Sequence, residues 1–189
     1  MENLGAALVG AARSAFRELF AARPDDHFYY CSMTTTGEGT PPSIVAWSWE
    51  ALDEVCLKLN GSVTRENLKW SYADSPFLGF GAHHFTEARE ILRRRPQPDY
   101  DDEEQWDGEI EVRLMAMEAA MAQLDAEGLF GKDVERSQLV VCVEIVPFDP
   151  SNRDRVLRLN STEAAAAWLS QAPGNSDTDA VAMPGREAV

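Results

Sequence analysis

Very few side chains in this sequence are spaced so that they could do chemistry. The adjacent pair His83-His84 is the first candidate. An imidazole can move a proton near neutral pH or ligate a metal. Neighbours in a regular element point to different faces, so the two are not expected to share one ion. Neither a His-Glu-x-x-His pattern nor a spaced Cys/His set accompanies them. Asp25, Asp26 and His27 could offer oxygen and nitrogen ligands, but a polar turn accounts for them equally. Cys31 follows His27 by four residues, which in a strand sets them about 13 Å apart, too far for a thiol–imidazole pair. Cys142 lies inside an apolar run, where a thiol stays protonated and inert. No Gly-x-Ser-x-Gly occurs, and Gly37, Gly39, Gly79 and Gly81 lack the strand-to-helix context of a phosphate loop. Carboxylates are too abundant for any glycosidase-like pair to be singled out. The expectation is no catalytic constellation, no metal and no cofactor.

The most unusual feature is the acidic block Asp99, Asp101, Asp102, Glu103, Glu104 and Asp107, with Trp106 inside it. As a solvated loop it would do nothing in particular. As a docking surface, Asp101, Asp102, Glu103 and Glu104 would steer a cationic partner and Trp106 would anchor it. The whole chain carries 17 Lys+Arg against 32 Asp+Glu, a net charge of −15. That balance argues against nucleic acid and against an anionic membrane surface, both of which need clustered cations. It permits attraction to a basic protein. The three cysteines, an odd number without close spacing, read as free thiols in a reducing cytoplasm. The first residues lack a basic region, and no stretch is long and apolar enough to suggest a signal peptide or a membrane span, so a cytoplasmic location is expected.

Any such surface must be held by the elements around it. Leu139–Val146, aliphatic but for Glu144, reads as a strand buried on both faces. Leu4, Leu8, Ala12, Phe16 and Leu19 recur at helical spacing and end before Pro24. His27–Thr36 and Ser43–Ser48 read as an antiparallel hairpin. Ser48 is placed to cap a helix over Trp49–Asn60, which Gly61 would stop. The aromatic stretch with Trp70, Tyr72, Phe77 and Phe80 reads as a loop packed on the body. A short helix over His84–Arg95, an acidic loop over Pro96–Asp107 and a strong helix from Ile110 to Gly128 follow. Val156–Leu159 reads as a small edge strand, and Asn160 or Ser161 as the cap of a last helix. Together these predict one α+β domain over residues 1–172, with a mostly antiparallel sheet of about three to four strands and about five helices. Residues 173–189 are expected to form a disordered tail.

This order of elements, with Lys69-Trp70-Ser71 after the second helix and Val156-Leu157-Arg158-Leu159-Asn160 after the last long strand, resembles the bacterial domain-of-unknown-function family 4303 over roughly residues 4–170. The family carries an Arg-Trp-Ser-type segment and a Ser-Val-Lys-Arg-Leu-Asn-type ending at these places. Here Lys69 stands for the arginine, Tyr72 where a proline often follows the serine, and Arg155 where serine is expected. The resemblance brings no catalytic residues. It implies an accessory protein similar to the small acidic immunity proteins of polymorphic-toxin loci. The leading expectation is a non-enzymatic inhibitor that binds a basic protein partner. The alternatives are an enzyme with its site beside the aromatic loop 70–84, using His83 or His84 as acid/base, and a homodimer built on Trp47, Trp49 and that loop. Trp70 is expected in the core and Asn160 as a helix cap.

Overall fold

Asn3 starts the fold: its side chain accepts from the Ala6 N–H at 3.2 Å and so caps α1 (Leu4–Ala22). The structure, a computed structural model, describes residues 3–60, 62–97 and 102–171, the Glu103 side chain excepted. The expected helix stop at Gly61, the acidic residues Asp99 and Asp101, and the expected tail 173–189 lie outside the described residues.

After α1 come β1 (Phe28–Thr36), β2 (Ser43–Ser48), α2 (Trp49–Lys58) and α3 (Arg65–Leu68). A 3-10 turn (Ala82–Phe85) leads into α4 (Thr86–Arg93), α5 (Glu103–Ala126) and α6 (Asp133–Ser137). β3 (Val140–Val146), α7 (Asn152–Leu159) and α8 (Thr162–Gln171) close the order. The fold is α+β, but among the described residues the sheet is three-stranded and mixed, in the order β2-β1-β3. The β1–β2 hairpin is antiparallel, whereas β1 and β3 run parallel. The long run of helices between them allows that, since a parallel pair needs a crossover and not a tight turn.

Several expectations change. Val156–Leu159 is not an edge strand but the last turn of α7, which lies against β3. The second half of the acidic block is not a loop. Asp102 accepts from the Gln105 N–H at 3.1 Å, and α5 begins at Glu103. Glu104 and Asp107 therefore occupy its first turns, where the helix dipole favours them. Eight helices, not about five, occur among the described residues: α3 and α6 are too short for periodicity to reveal, and α7 replaces the expected edge strand.

The core is continuous. Phe16 and Leu19 of α1, Met33 of β1, Val141 and Val143 of β3, and Met117, Met121 and Leu124 of α5 are all buried in it. Each such side chain hidden from water contributes roughly 1.5–3 kcal/mol. The β1–β3 register sets Tyr30, Ser32 and Thr34 beside Val140, Cys142 and Glu144. Alternation along the strands puts all six on one face. Trp70 lies over that face, its ring centroid 5.8 Å from that of Tyr30.

Candidate functional site

Glu144 is the one charged side chain in an otherwise aliphatic strand, and it is buried, 6 % exposed. A carboxyl in that position must be neutralised or richly hydrogen-bonded. The Tyr30 hydroxyl donates to Glu144 Oε2, and the Ser32 hydroxyl lies 3.4 Å from the same oxygen. Burial pushes the carboxyl up; the bonds from Tyr30 and Ser32, the Arg155 charge and Trp168 pull it back, leaving it at about 7. Burial raises the Tyr30 hydroxyl well above its ordinary value, so it stays protonated and remains the donor.

Glu144 lines a cavity of about 160 Å³ together with Trp70, Ser71, Tyr72, Phe148, Asn152 and Trp168. The loop is tied over it by the Trp47 indole, whose Nε1 donates to the Ser71 carbonyl at 2.7 Å. Trp70 has a left-handed backbone, φ 72°, a conformation rare for a bulky residue and costing of order 1–3 kcal/mol. Lys69 holds the loop from outside: its Nζ lies 4.9 Å from the rings of both Trp49 and Trp70 and donates to Gln171 Oε1 at 2.9 Å. A carboxyl that ionises near neutral pH, in a small aromatic cavity, can donate or accept a proton or meet a cation. A wider hollow of about 400 Å³ touches Arg23, Asp26, His27 and Phe130. There Arg23 already pairs with Asp26 and Glu54, and His27 with Glu50.

Asn152, Arg155 and Asn160 do structural work along β3. The Asn160 side chain accepts from the Val141 N–H at 2.9 Å and donates to the Val141 carbonyl at 2.6 Å. Asn152 repeats this at Ile145, with 2.8 and 2.9 Å. Between them Arg155 Nε donates to the Val143 carbonyl at 3.0 Å. Helix α7 thus offers β3 the hydrogen bonds of a missing strand. Asn160 is not the cap of α8; Ser161 is, its hydroxyl accepting from the Ala164 N–H at 3.3 Å.

The residues singled out in the sequence fall in different places. Asp102 and Glu104 are exposed at the start of α5. Trp106 is half-buried, with the Arg113 guanidinium 5.0 Å from its ring centroid. Arg113 in turn reaches Glu109 at 2.8 Å, the Gly39 carbonyl at 2.7 Å and the Pro96 carbonyl at 2.6 Å, while Arg95 binds both Glu109 oxygens. Burial raises the Glu109 carboxyl, but the bonds from Arg95 and Arg113 outweigh it and hold the group below its ordinary value. Helix α5 carries two apolar stripes. Leu114, Met117, Met121 and Leu124 face the core, and Val112, Met115, Ala119 and Ala122 are exposed. At 100° per residue the exposed four share a face with Glu104, Asp107 and Glu111. Trp47 is fully buried, which removes it from any dimer interface; Trp49 stacks on Tyr29 at 4.2 Å. His83 and His84 do not line the Glu144 cavity; they lie against Glu18 of α1. Cys31, Cys56 and Cys142 are free thiols. Among the described residues no helix is long and apolar enough to cross a membrane.

A three-stranded mixed sheet among the described residues, with α7 substituting for a fourth strand and helices wrapped around it, defines an α+β domain. The chain belongs to the family described as Domain of unknown function (DUF4303), which it matches over residues 8–161. No curated protein and no solved structure matches it.

Proposed function

We propose that this chain is a non-enzymatic binding protein that receives a basic, partly apolar protein partner on the exposed face of α5. An immunity-type inhibitor of a basic toxin is the most concrete form of this reading. The observation that carries it is the second stripe of α5: Val112 is 45 % exposed and Met115 59 %, and both continue the line of Glu104, Asp107 and Glu111. A helix with its core stripe already filled gains nothing internal from a further apolar row. The face runs roughly 27 Å from Glu104 to Ala122, at about 1.5 Å per residue. Its acidic half suits steering and its apolar half suits burial. The net charge of −15 points to the same sign of partner.

The test is capture of a partner at low salt from lysate of the source cells, followed by affinity measurement with purified components. Two variants accompany it, Met115→Asp and the triple reversal Glu104→Lys, Asp107→Lys, Glu111→Lys. A single stoichiometric basic partner, released by salt and lost with both variants, supports the reading. Retention of that partner at unchanged affinity by both variants overturns it, as does elution of the protein alone as a dimer that Met115→Asp dissolves.

The Glu144 cavity favours a second reading, a small-ligand or acid–base site, because its carboxyl sits at about 7 beside Trp70, Ser71 and Tyr72. This moves the acid/base role from His83 and His84 to Glu144. A hydrolase screen with Glu144→Gln tests it: activity surviving that substitution counts against the role.

A further inference from the structure

Although they are neighbours in sequence, His83 and His84 come together. They sit in the 3-10 turn Ala82–Phe85, and their ring centroids are only 3.9 Å apart. Both rings face one carboxylate: Glu18 Oε2 is 3.4 Å from His83 Nε2 and 2.7 Å from His84 Nε2. One ligand atom from each of the three residues falls within 4.8 Å of the other two. Among the described residues this is the one such group of His, Cys, Asp or Glu. We propose that Glu18, His83 and His84 form a binding site for a divalent transition-metal ion of the zinc class, with its remaining positions open to solvent.

The geometry fits the ion. Metal–nitrogen and metal–oxygen bonds of about 2.1 Å, set tetrahedrally, put neighbouring ligand atoms about 3.4 Å apart. The Glu18–His83 separation already has that value. The Glu18–His84 separation must open by about 0.7 Å, a small torsional change for side chains 46 % and 27 % exposed. Two imidazoles and one carboxylate suit Zn²⁺, Co²⁺ or Ni²⁺ and not Ca²⁺ or Mg²⁺, which prefer oxygen alone.

The fold holds the set in place. Gly81 precedes the turn at φ 64°, and a Cβ there would lie 2.7 Å from Ala15 Cβ and 2.9 Å from Ala15 Cα. Only glycine lets the turn lie this close to α1, one helical turn before Glu18. An ion at this point would cross-link α1 to the segment leading into α4, across 65 residues of chain from Glu18 to His83. Such a ligand stabilises the folded state by mass action, because the unfolded chain does not bring the three groups together.

The test uses tag-free protein of residues 1–189, stripped with chelator and titrated with Zn²⁺ by calorimetry and with Co²⁺ by visible absorption. Glu18→Gln, His83→Ala and His84→Ala are made in parallel. Glu18 and His83 are exposed, so the metal-free Glu18→Gln and His83→Ala variants keep the wild-type melting temperature and far-ultraviolet spectrum. One ion per chain, a rise in melting temperature with Zn²⁺, and an affinity loss of at least about tenfold in each variant are expected, since losing even an outer-shell partner costs that much. No saturable Zn²⁺ binding up to millimolar concentration overturns the proposal. So does binding that all three variants retain, which would place the ion elsewhere.

Discussion

Replacing Glu144 with glutamine changes one atom in the core and removes one ionisation. The folded carboxyl sits at about 7 against an ordinary 4.5, because burial opposes its charged form. The folded chain therefore holds this proton more tightly than the unfolded chain. Folding takes up a proton between those two values, so stability falls as pH rises from 4.5 to 7 and the full penalty applies above 7. At about 1.4 kcal/mol per pH unit, the gap amounts to roughly 3 kcal/mol. Glutamine carries no such penalty, and its amide oxygen can still accept from the Tyr30 hydroxyl. Glu144→Gln should be more stable than wild type by less than about 1 kcal/mol at pH 5, and by roughly 3 kcal/mol at pH 8. For a chain of this length that is roughly 6–12 °C in melting temperature. The assay is urea unfolding followed by tryptophan fluorescence at four pH values from 5 to 8. His27, raised by its bond to Glu50, titrates with the same sign in this window, but equally in both proteins, so the difference isolates Glu144. A difference between the two proteins that does not change with pH would refute the reasoning.

Asn160→Ala strips both the Val141 N–H and its carbonyl of their side-chain partner, and removes one acceptor from Arg136. Buried backbone left unpaired should cost roughly 2–4 kcal/mol, read from urea unfolding, with faster amide exchange at Val141. Glu109→Ala leaves Arg113, 2 % exposed, as an uncompensated buried cation, for a loss of roughly 3–5 kcal/mol in the same assay. Because Arg95 and Arg113 hold the wild-type Glu109 carboxyl below its ordinary value, its contribution is present above that value and lost as pH falls through the folded one. Acid unfolding of the variant should lack that limb.

What could be read from the sequence is what local pattern dictates. The stripe of α1, the hairpin strands, the cap at Ser48 and the buried run ending at Val146 all carry periodicity or capping signals, and each forms close to the expected bounds. The segment Val156–Leu159 looks like a strand only because three of its four residues are aliphatic. Long-range needs overrode that: Asn152, Arg155 and Asn160 must reach three successive outward positions of β3, and a helix delivers them. The start of α5 was hidden by acidity, although Asp102 followed three residues later by Gln105 is a capping pattern. Glu144 was visible as the lone charge in its strand. Its partner Tyr30 lies 114 residues away and leaves no local trace. The histidine pair failed a rule written for regular elements, since a 3-10 turn entered through a left-handed glycine lets both rings fold toward one carboxylate.

The sheet itself limits how a partner can bind. A three-stranded sheet offers two edges, and an unpaired edge invites a strand from another chain. Here the β3 edge is taken by α7 at Val141, Val143 and Ile145. The β2 edge is taken by the aromatic loop: the Gly79 N–H donates to the Ile44 carbonyl at 2.9 Å, and the Ser75 hydroxyl to the Ala46 carbonyl at 2.6 Å. Phe80 adds a bridge at Ile44. Strand addition would have to break these bonds first, and each broken bond leaves a buried group unpaired. Recognition through side chains on a helix carries no such cost. Of the helices, α5 presents a long continuous row that its own core does not need, with acid at one end and Val112 and Met115 at the middle. That asymmetry is why Met115→Asp should weaken partner binding without weakening the fold, whereas Met117→Asp, two residues on and fully buried, should unfold the chain.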